Sequence, residues 1–225
     1  MQVTYLGHAC ISIRINNKTI LIDPFITANP LAKHIDVAKL AADYILITHA
    51  HQDHILDVET IAKRTGAKII SNYEIVMHYI GKGFSGHPIN HGGTCEFDAI
   101  KIKYVNAIHT SSFPDGTYGG QPGGFVISHN GKTIYIAGDT AVTYDMQLIP
   151  MHAKIDLAVL PIGDNFTMGV DDAIIAADFV QCAKILGCHY DTFPPIEIDK
   201  NAAVNKFKVA EKELHLIEIG SSVTI

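Results

Sequence analysis

The stretch "DYILITHAHQDHILD", residues 43–57, joins a short apolar run to a dense group of ionisable side chains. The run "DYILIT" is typical of a buried strand. Three histidines and two aspartates then fall within residues 48–57, and apolar positions recur at helical spacing from Ile55 to Arg64. A buried strand that leads through polar residues into a helix indicates an α/β fold with a site at the carboxyl end of the strand.

The spacing within "THAHQDH" favours metal binding. Alternate residues of an extended segment point the same way, so His49 and His51 can converge on one ion. Asp53 and His54 fall where the chain turns into the helix, and they can face a second ion. Zinc and similar cations accept imidazole nitrogen and carboxylate oxygen readily. The alternative is a polar turn in which Asp53 caps the helix, but four potential ligands in so short a segment favour a metal site.

Three further candidate ligands lie at or after the ends of predicted elements. His109 ends the strand "IKIKYVNAIH", and Asp139 ends the strand "KTIYIAGD". His189 lies in "CHYDTFPP", after a helix predicted over residues 170–186. Taken singly, each also fits a loop histidine, a turn cap or a polar group at a buried strand end. Strand ends are nevertheless where the sites of α/β proteins assemble.

The chain contains two loosely similar halves. In the first, "VTYLGHA" leads through the turn "NN" to "KTILID", which ends at Asp23, and "DYILI" follows. In the second, "IKYVNAIHT" leads to "HNGKTIYIAGD", which ends at Asp139, and "DLAVL" follows. The Asn-Gly pair at 130 and 131 is a strong hairpin signal. Such a repeat describes two αβ units whose sheets pack face to face with helices outside.

Periodicity predicts the remaining elements. A strand is predicted over residues 3–15, and helices over residues 55–64, 170–186 and 199–214. No segment has the composition of a linker or a low-complexity region. We therefore predict one domain over residues 1–225.

Composition excludes several classes of protein. Of the 225 residues, 48% are hydrophobic and 18% charged, which suits a folded core and not a disordered chain. The net charge of −6, with no basic block, argues against binding duplex nucleic acid or an anionic membrane. Four cysteines without a CxxC pair are typical of free thiols in a reducing compartment. With no signal-peptide pattern and no long apolar run, we expect a soluble cytoplasmic protein.

Several motifs together resemble those of a known superfamily. "THAHQDH" with a downstream histidine, a Gly-Asp-Thr and a C-terminal histidine resembles the metallo-β-lactamase superfamily, over nearly the whole chain. "YLGHACISI", "LIDPF", "LPIGDNFTMG" and "HYDTFPPI" are similar to a family of metal-dependent hydrolases close to L-ascorbate-6-phosphate lactonase. The resemblance implies a four-layer αββα sandwich with a dinuclear metal site between the sheet edges.

The resemblance also implies a role for each candidate ligand. One metal would be held by His49, His51 and His109. The other would be held by Asp53, His54 and His189, with Asp139 as the bridge. Such an ion pair shares a water, makes hydroxide available near neutral pH and stabilises the charge that develops on the substrate. Zinc is the first expectation, with manganese and iron open.

Other residues are candidates for roles around the metals. Asp53 is our candidate for orienting the nucleophile and passing on its proton, in addition to its ligand role. His8 ends the first strand as His109 ends its counterpart, so it is predicted either to contact substrate or a water or to hydrogen-bond a ligand. Asp23 is predicted to orient a ligand histidine or to cap its loop.

Two loops are candidates for substrate contact. Asn165 and Thr167 precede a predicted helix whose N-terminus could bind a substrate phosphate. Asp171 and Asp172 in its first turn would repel an anion, which favours a plain capping loop. The Gly-rich loop that carries Tyr118 is predicted to be either a lid or ordinary surface.

These observations predict a cytoplasmic dinuclear hydrolase that acts on a small ester, lactone or phosphate ester. The resemblance also implies a homo-oligomer. One alternative is a nuclease or phosphodiesterase acting on RNA or DNA, for which the chain lacks a basic surface. A second alternative is a non-catalytic metal-binding domain, against which the complete ligand set argues.

Overall fold

The structure is a computed structural model that describes residues 1–225. Backbone contacts divide the chain into two compact units. The first unit comprises Met1–Asn90, Thr110–Pro122 and Glu218–Thr224, and the second comprises His91–His109, Gly123–Ile217 and the last residue. Each unit contains one seven-stranded sheet. The single domain over residues 1–225 stays a prediction.

The sheet of the first unit has the strand order β14-β1-β2-β3-β4-β5-β6. Its strands are β1 (Gln2–Gly7), β2 (Cys10–Ile15), β3 (Lys18–Ile22), β4 (Tyr44–Leu46), β5 (Lys68–Ser71), β6 (Gly86–Pro88) and β14 (Ser222–Thr224). The helices of this unit are α1 (Gln52–Ile55), α2 (Val58–Thr65) and α3 (Tyr73–Gly81), with a 3-10 turn at Val37–Lys39.

The sheet of the second unit has the strand order β13-β12-β11-β10-β9-β8-β7. Its strands are β7 (Thr94–Phe97), β8 (Ile100–Asn106), β9 (Gly123–His129), β10 (Lys132–Ile136), β11 (Leu157–Pro161), β12 (Lys184–Cys188) and β13 (Glu213–His215). The helices are α4 (Val170–Phe179) and α5 (Lys200–Val209), with 3-10 segments at Tyr144–Met151 and Pro194–Ile196.

The two sheets repeat one pattern of strand pairing. In the first, β1, β2 and β3 pair antiparallel, and β3, β4, β5 and β6 pair parallel. In the second, β8, β9 and β10 pair antiparallel, and β10, β11, β12 and β13 pair parallel. Each sheet has one further antiparallel strand beside its three antiparallel strands. β14 pairs with β1, and β7 pairs with β8. The predicted repeat of αβ units is therefore confirmed.

Each unit has a core between its helices and its sheet. In the first unit the apolar face of α2, with Val58, Ile61 and Ala62, belongs to a buried cluster with Ile45 and Ile69 of the sheet. The helical spacing of these positions is what predicts the buried face. In the second unit three small residues of α4 and Phe207 of α5 share a buried cluster with β10, β11 and β12. No helix combines the length and the apolar character that crossing a bilayer requires.

The structure corrects four predicted boundaries. The helix predicted over 55–64 begins later, because Ile55 ends α1 and α2 starts at Val58. The strand predicted over residues 3–15 is two strands, because His8 has a left-handed φ of 54° and reverses the chain. The helix predicted over 170–186 ends at Phe179, and the remainder contains β12. A short apolar run fits a buried strand as well as a helix, so periodicity alone misassigned it. The helix predicted over 199–214 ends at Val209, and β13 follows.

The predicted hairpin between β9 and β10 is confirmed. Asn130 and Gly131 have φ values of 48° and 75°, and the flanking pairs run from Lys132 with His129 to Ile136 with Phe125. Two successive residues with positive φ form a tight turn whose twist matches that of the strands. β10 begins directly after this turn, and Asp139 follows its carboxyl end.

Candidate metal centre

In both units, polar residues collect at one edge of the sheet. In the first unit, His8, Asp23 and Thr48 follow β1, β3 and β4, which run in the same direction. In the second, Asp139 and His189 follow the parallel strands β10 and β12. His109 comes after β8, which runs in the same direction as β10. Strands that run alike end at the same edge, so residues far apart in sequence become neighbours within each unit.

The first part of the histidine-rich turn places two imidazoles side by side. His49 Nε2 and His51 Nδ1 lie 3.0 Å apart, and the two rings meet edge to face. His49 is fully buried and His51 is half-buried. Zinc binds imidazole nitrogen at about 2.0–2.1 Å. Two nitrogens at this separation therefore suit neighbouring positions around one ion.

The second part of the turn groups His8, Asp53 and His54. Their potential ligand atoms all lie within 4.8 Å of one another. His8 Nε2 is 3.0 Å from Asp53 Oδ2, and His54 Nε2 is 3.9 Å from the same oxygen. The structure thus places His8 within hydrogen-bonding distance of Asp53, a predicted ligand. Of the two roles predicted for His8, this contact favours the hydrogen bond to a ligand. The alternative cap role of Asp53 does not occur, because His51 occupies the N-cap of α1 without a side-chain cap bond.

Asp23 orients His54. One carboxylate oxygen of Asp23 lies 2.9 Å from His54 Nδ1 and accepts the Thr48 hydroxyl at 2.6 Å, while the other accepts the Thr48 amide at 2.8 Å. Burial raises the pKa of the Asp23 carboxyl, and the bonds from His54 and Thr48 oppose that rise. With Nδ1 donating to a carboxylate, the lone pair of His54 lies on Nε2, as a metal ligand requires.

The second unit groups one carboxylate with two imidazoles. Asp139 Oδ2 lies 3.0 Å from His189 Nε2 and 3.6 Å from His109 Nε2. Asp139 and His189 are buried, and His109 is half-buried. His189 also has a left-handed φ of 54°. A non-glycine residue is held in this conformation at a cost, and such positions cluster at functional sites.

The Gly-rich loop is a fixed hairpin. The Phe113 amide donates to Thr117 O at 2.8 Å, Ser112 and Tyr118 form an isolated bridge, and Phe113 is buried. Ser111 Oγ accepts the Ala50 amide at 3.1 Å and donates to a loop carbonyl at 2.9 Å. The loop therefore fastens the backbone between the first two histidines of the motif, and Tyr118 is exposed at its outer part. Sequence reasoning missed Ser111, since nothing in the local pattern marks a lone serine.

Replacing Ser111 with alanine is expected to lower the free energy of unfolding by about 1–3 kcal/mol, because the buried Ala50 amide loses its acceptor. Urea unfolding at equilibrium measures this change. Ser128→Ala is the matched control, because Ser128 is half-buried and its hydroxyl lies 3.0 Å from the hydroxyl of Thr133 and not from a backbone amide. It should change stability by less than about 0.5 kcal/mol. Equal effects of the two variants would contradict the anchoring role of Ser111.

The loop before α4 is closed by Asp164. Asp164 has a left-handed φ of 63°, and its carboxylate accepts the Asn165 amide at 2.8 Å. The Thr167 hydroxyl donates to Met168 O at 3.4 Å. Asp164 adds a further negative charge to the two in the first turn of α4. These charges disfavour phosphate binding, but the predicted capping role is not seen either, because Gly169 is the N-cap of α4 and makes no side-chain cap hydrogen bond.

The donor set fits divalent metal ions. Within the first unit, atoms of Asp23, His49 and His54 also lie within 4.8 Å of one another. Imidazoles and carboxylates are crowded together and buried, which is costly unless they share protons or coordinate a cation. Neutral imidazole and ionised carboxylate are the forms that a metal binds. The side chains present are those that zinc, manganese and iron accept.

Comparisons with known proteins agree with this fold and donor set. Residues 2–189 match the model of the beta-lactamase superfamily domain. A UPF0173 metal-dependent hydrolase from Christiangramia forsetii is 62% identical over 226 residues, covering 100% of both chains. A relative of the same name from Methylacidiphilum infernorum is 45% identical, again covering 100% of both chains.

A solved structure extends the likeness. Igni18, a metallo hydrolase from Ignicoccus hospitalis, is 36% identical, with a TM-score of 0.90 that covers 99% of this chain and 97% of that chain. Fold and donor set thus define a metal-dependent hydrolase of the metallo-β-lactamase superfamily. Within that superfamily, the chain belongs to the UPF0173 metal-dependent hydrolases.

Proposed function

We propose that the protein binds two divalent metal ions and hydrolyses a small ester, lactone or phosphate ester. The observation that carries the proposal is the grouping, within each unit, of buried carboxylate with imidazole at a sheet edge. Asp23 meets His54 at 2.9 Å in the first unit, and Asp139 meets His189 at 3.0 Å in the second. The family match over residues 2–189 includes both groups.

The proposed ligand assignment follows the superfamily pattern. His49, His51 and His109 would hold one metal. Asp53, His54 and His189 would hold the other, and Asp139 would be shared between them. The metals, when bound, supply a water of lowered pKa as the nucleophile and stabilise negative charge on the substrate oxygen. Zinc is the proposed ion, with manganese and iron as the alternatives.

The chain's own residues hold this arrangement and move the proton. Asp53 is the proposed acceptor of the proton from the nucleophile. His8, buried and 3.0 Å from Asp53 Oδ2, orients that carboxylate. Asp23 holds His54 in the tautomer that presents Nε2. A small-molecule substrate suits the net charge of −6, which is unfavourable for a polyanion.

A metal-resolved activity screen tests the proposal. The purified protein is stripped of metal, reloaded separately with zinc, manganese or iron, and assayed on esters, lactones, phosphomonoesters, phosphodiesters and thioesters. We expect two metal ions per chain and turnover of a lactone, ester or phosphomonoester. Activity confined to phosphodiesters would favour the nuclease alternative. Two bound metals without any turnover would favour the non-catalytic alternative, and failure to bind any of the three metals would exclude the dinuclear site.

A further inference from the structure

Asp57 is a buried carboxylate outside the proposed ligand set. It closes the quoted stretch "THAHQDHILD" and is only 3% exposed. It stands at the N-cap position of α2, yet its side chain accepts no capping hydrogen bond there. An aspartate at this position ordinarily caps the helix. Its carboxylate is therefore used elsewhere.

The carboxylate of Asp57 binds the loop that follows β3. One oxygen accepts the Ile26 amide at 2.6 Å and the Thr27 amide at 2.9 Å, and the other accepts the Thr27 hydroxyl. The Asp57 amide in turn donates to Pro24 O at 3.1 Å. Four hydrogen bonds thus join the start of α2 to residues 24–27. A buried carboxylate with three donors is a strong junction, because bonds to a charged acceptor exceed neutral ones.

This loop supports both residues that orient the second part of the histidine-rich turn. Asp23 directly precedes it and holds a left-handed φ of 45°, a conformation that the surroundings of a non-glycine residue must maintain. Phe25 lies within it, buried, with its ring edge-on to His8 at 5.5 Å between centroids. Asp23 in turn contacts His54, and His8 contacts Asp53.

The first part of the turn has a second anchor. Ala50, between His49 and His51, is held by Ser111 of the Gly-rich loop at 3.1 Å. Asp23 also reaches this part, because the Thr48 hydroxyl that it accepts lies 3.0 Å from His49 Nδ1. The second part of the turn therefore depends more fully on residues 23–27 than the first part does.

We infer that Asp57 is a positioning residue for one metal of the pair, the one proposed to bind Asp53 and His54. This inference rests on the proposed dinuclear site. Without the carboxylate, residues 24–27 lose their attachment to α2, and the orienting contacts from Asp23 and His8 loosen. Loss of a group that orients a metal ligand lowers metal affinity by about 10–100-fold. The affinity of the metal proposed to bind His49 and His51 should fall less, because Ser111 still holds Ala50 between them.

The test measures metal affinity in two variants of this junction. Asp57→Ala removes the carboxylate, and Thr27→Val removes one donor from an exposed residue that tolerates substitution. Each protein is loaded with zinc and then titrated with a chelator while bound zinc is counted. We expect two zinc ions per wild-type chain. In Asp57→Ala one of them should bind about 10–100-fold more weakly, and in Thr27→Val a smaller shift should affect the same ion.

The control is Asp199→Ala, which removes a true N-cap whose carboxylate accepts the Ala202 amide at 3.0 Å in the second unit. It should lower the unfolding midpoint and leave both zinc affinities unchanged. Wild-type affinity for both ions in Asp57→Ala and Thr27→Val, or an equal fall at both ions, would overturn the inference alone. If Asp57→Ala does not fold, Thr27→Val decides. A wild-type chain that binds fewer than two zinc ions overturns the proposed site and the inference together.

Discussion

Replacing His51 with alanine is expected to reduce hydrolysis by more than about 100-fold, because the loss of a direct ligand should exceed the 10–100-fold cost of losing a residue that orients one. His51 Nδ1 lies 3.0 Å from His49 Nε2, so one donor of a close pair disappears while the other stays in place. Binding of the metal proposed to be held by His49, His51 and His109 should be lost or greatly weakened. Metal content and turnover, measured on the same sample with the substrate found in the screen, check both parts.

His129→Ala is the matched control for His51→Ala. His129 is also half-buried, and its Nδ1 lies 2.9 Å from a backbone carbonyl outside the predicted ligand set. This variant should retain wild-type metal content and activity. Full retention of both metals and of all turnover in His51→Ala would support the view that this histidine pair plays no part in binding or catalysis.

The ligand candidates were predictable from sequence because their signal is local. Imidazole and carboxylate are the side chains that metals select, and His49, His51, Asp53 and His54 lie within six residues at the end of one strand. The pairing of the strands was predictable from the repeat of hairpin and buried strand. Both features depend on patterns that span a few residues, which a single sequence displays directly.

The residues that orient those candidates were predictable only in part. The internal repeat indicated His8 and Asp23 as candidates, but not which ligand each would contact. His8 meets Asp53 across 45 positions, and Ser111 meets Ala50 across 61 positions. No pattern in the sequence marked Asp57 as a candidate, and only the folded structure shows its carboxylate turned towards another loop. Such contacts depend on which strand ends share an edge, and no local pattern in the sequence contains that information. The boundary of α4 was missed for the related reason that β12 is too short and too apolar to show a period.

Gly163 is the position where a single methyl group should disturb both the fold and a proposed ligand. A Cβ at Gly163 would lie far inside van der Waals contact with the backbone oxygen of His189, and 3.0 Å from Cβ of Ile196. The nearest atom belongs to the main chain, which cannot rotate away as a flexible side chain can. Gly163→Ala should therefore lower the free energy of unfolding by about 3 kcal/mol, at the upper end of the usual cost of overpacking. It should also shift His189 away from Asp139, which it now meets at 3.0 Å.

Urea unfolding of metal-free protein isolates the packing cost, and metal counting on reloaded protein reports the displacement of His189. Gly81→Ala is the matched control, since a Cβ there meets no atom within 4 Å and Gly81 lies in the last turn of α3. That variant should gain about 0.4–1 kcal/mol, because alanine restricts the unfolded chain more than glycine does. Both substitutions add the same methyl group. Changes of opposite sign in the free energy of unfolding would therefore assign the cost in Gly163→Ala to the close backbone oxygen of His189. A Gly163→Ala protein with wild-type stability and full metal content would show that the backbone of His189 can move without consequence for the site.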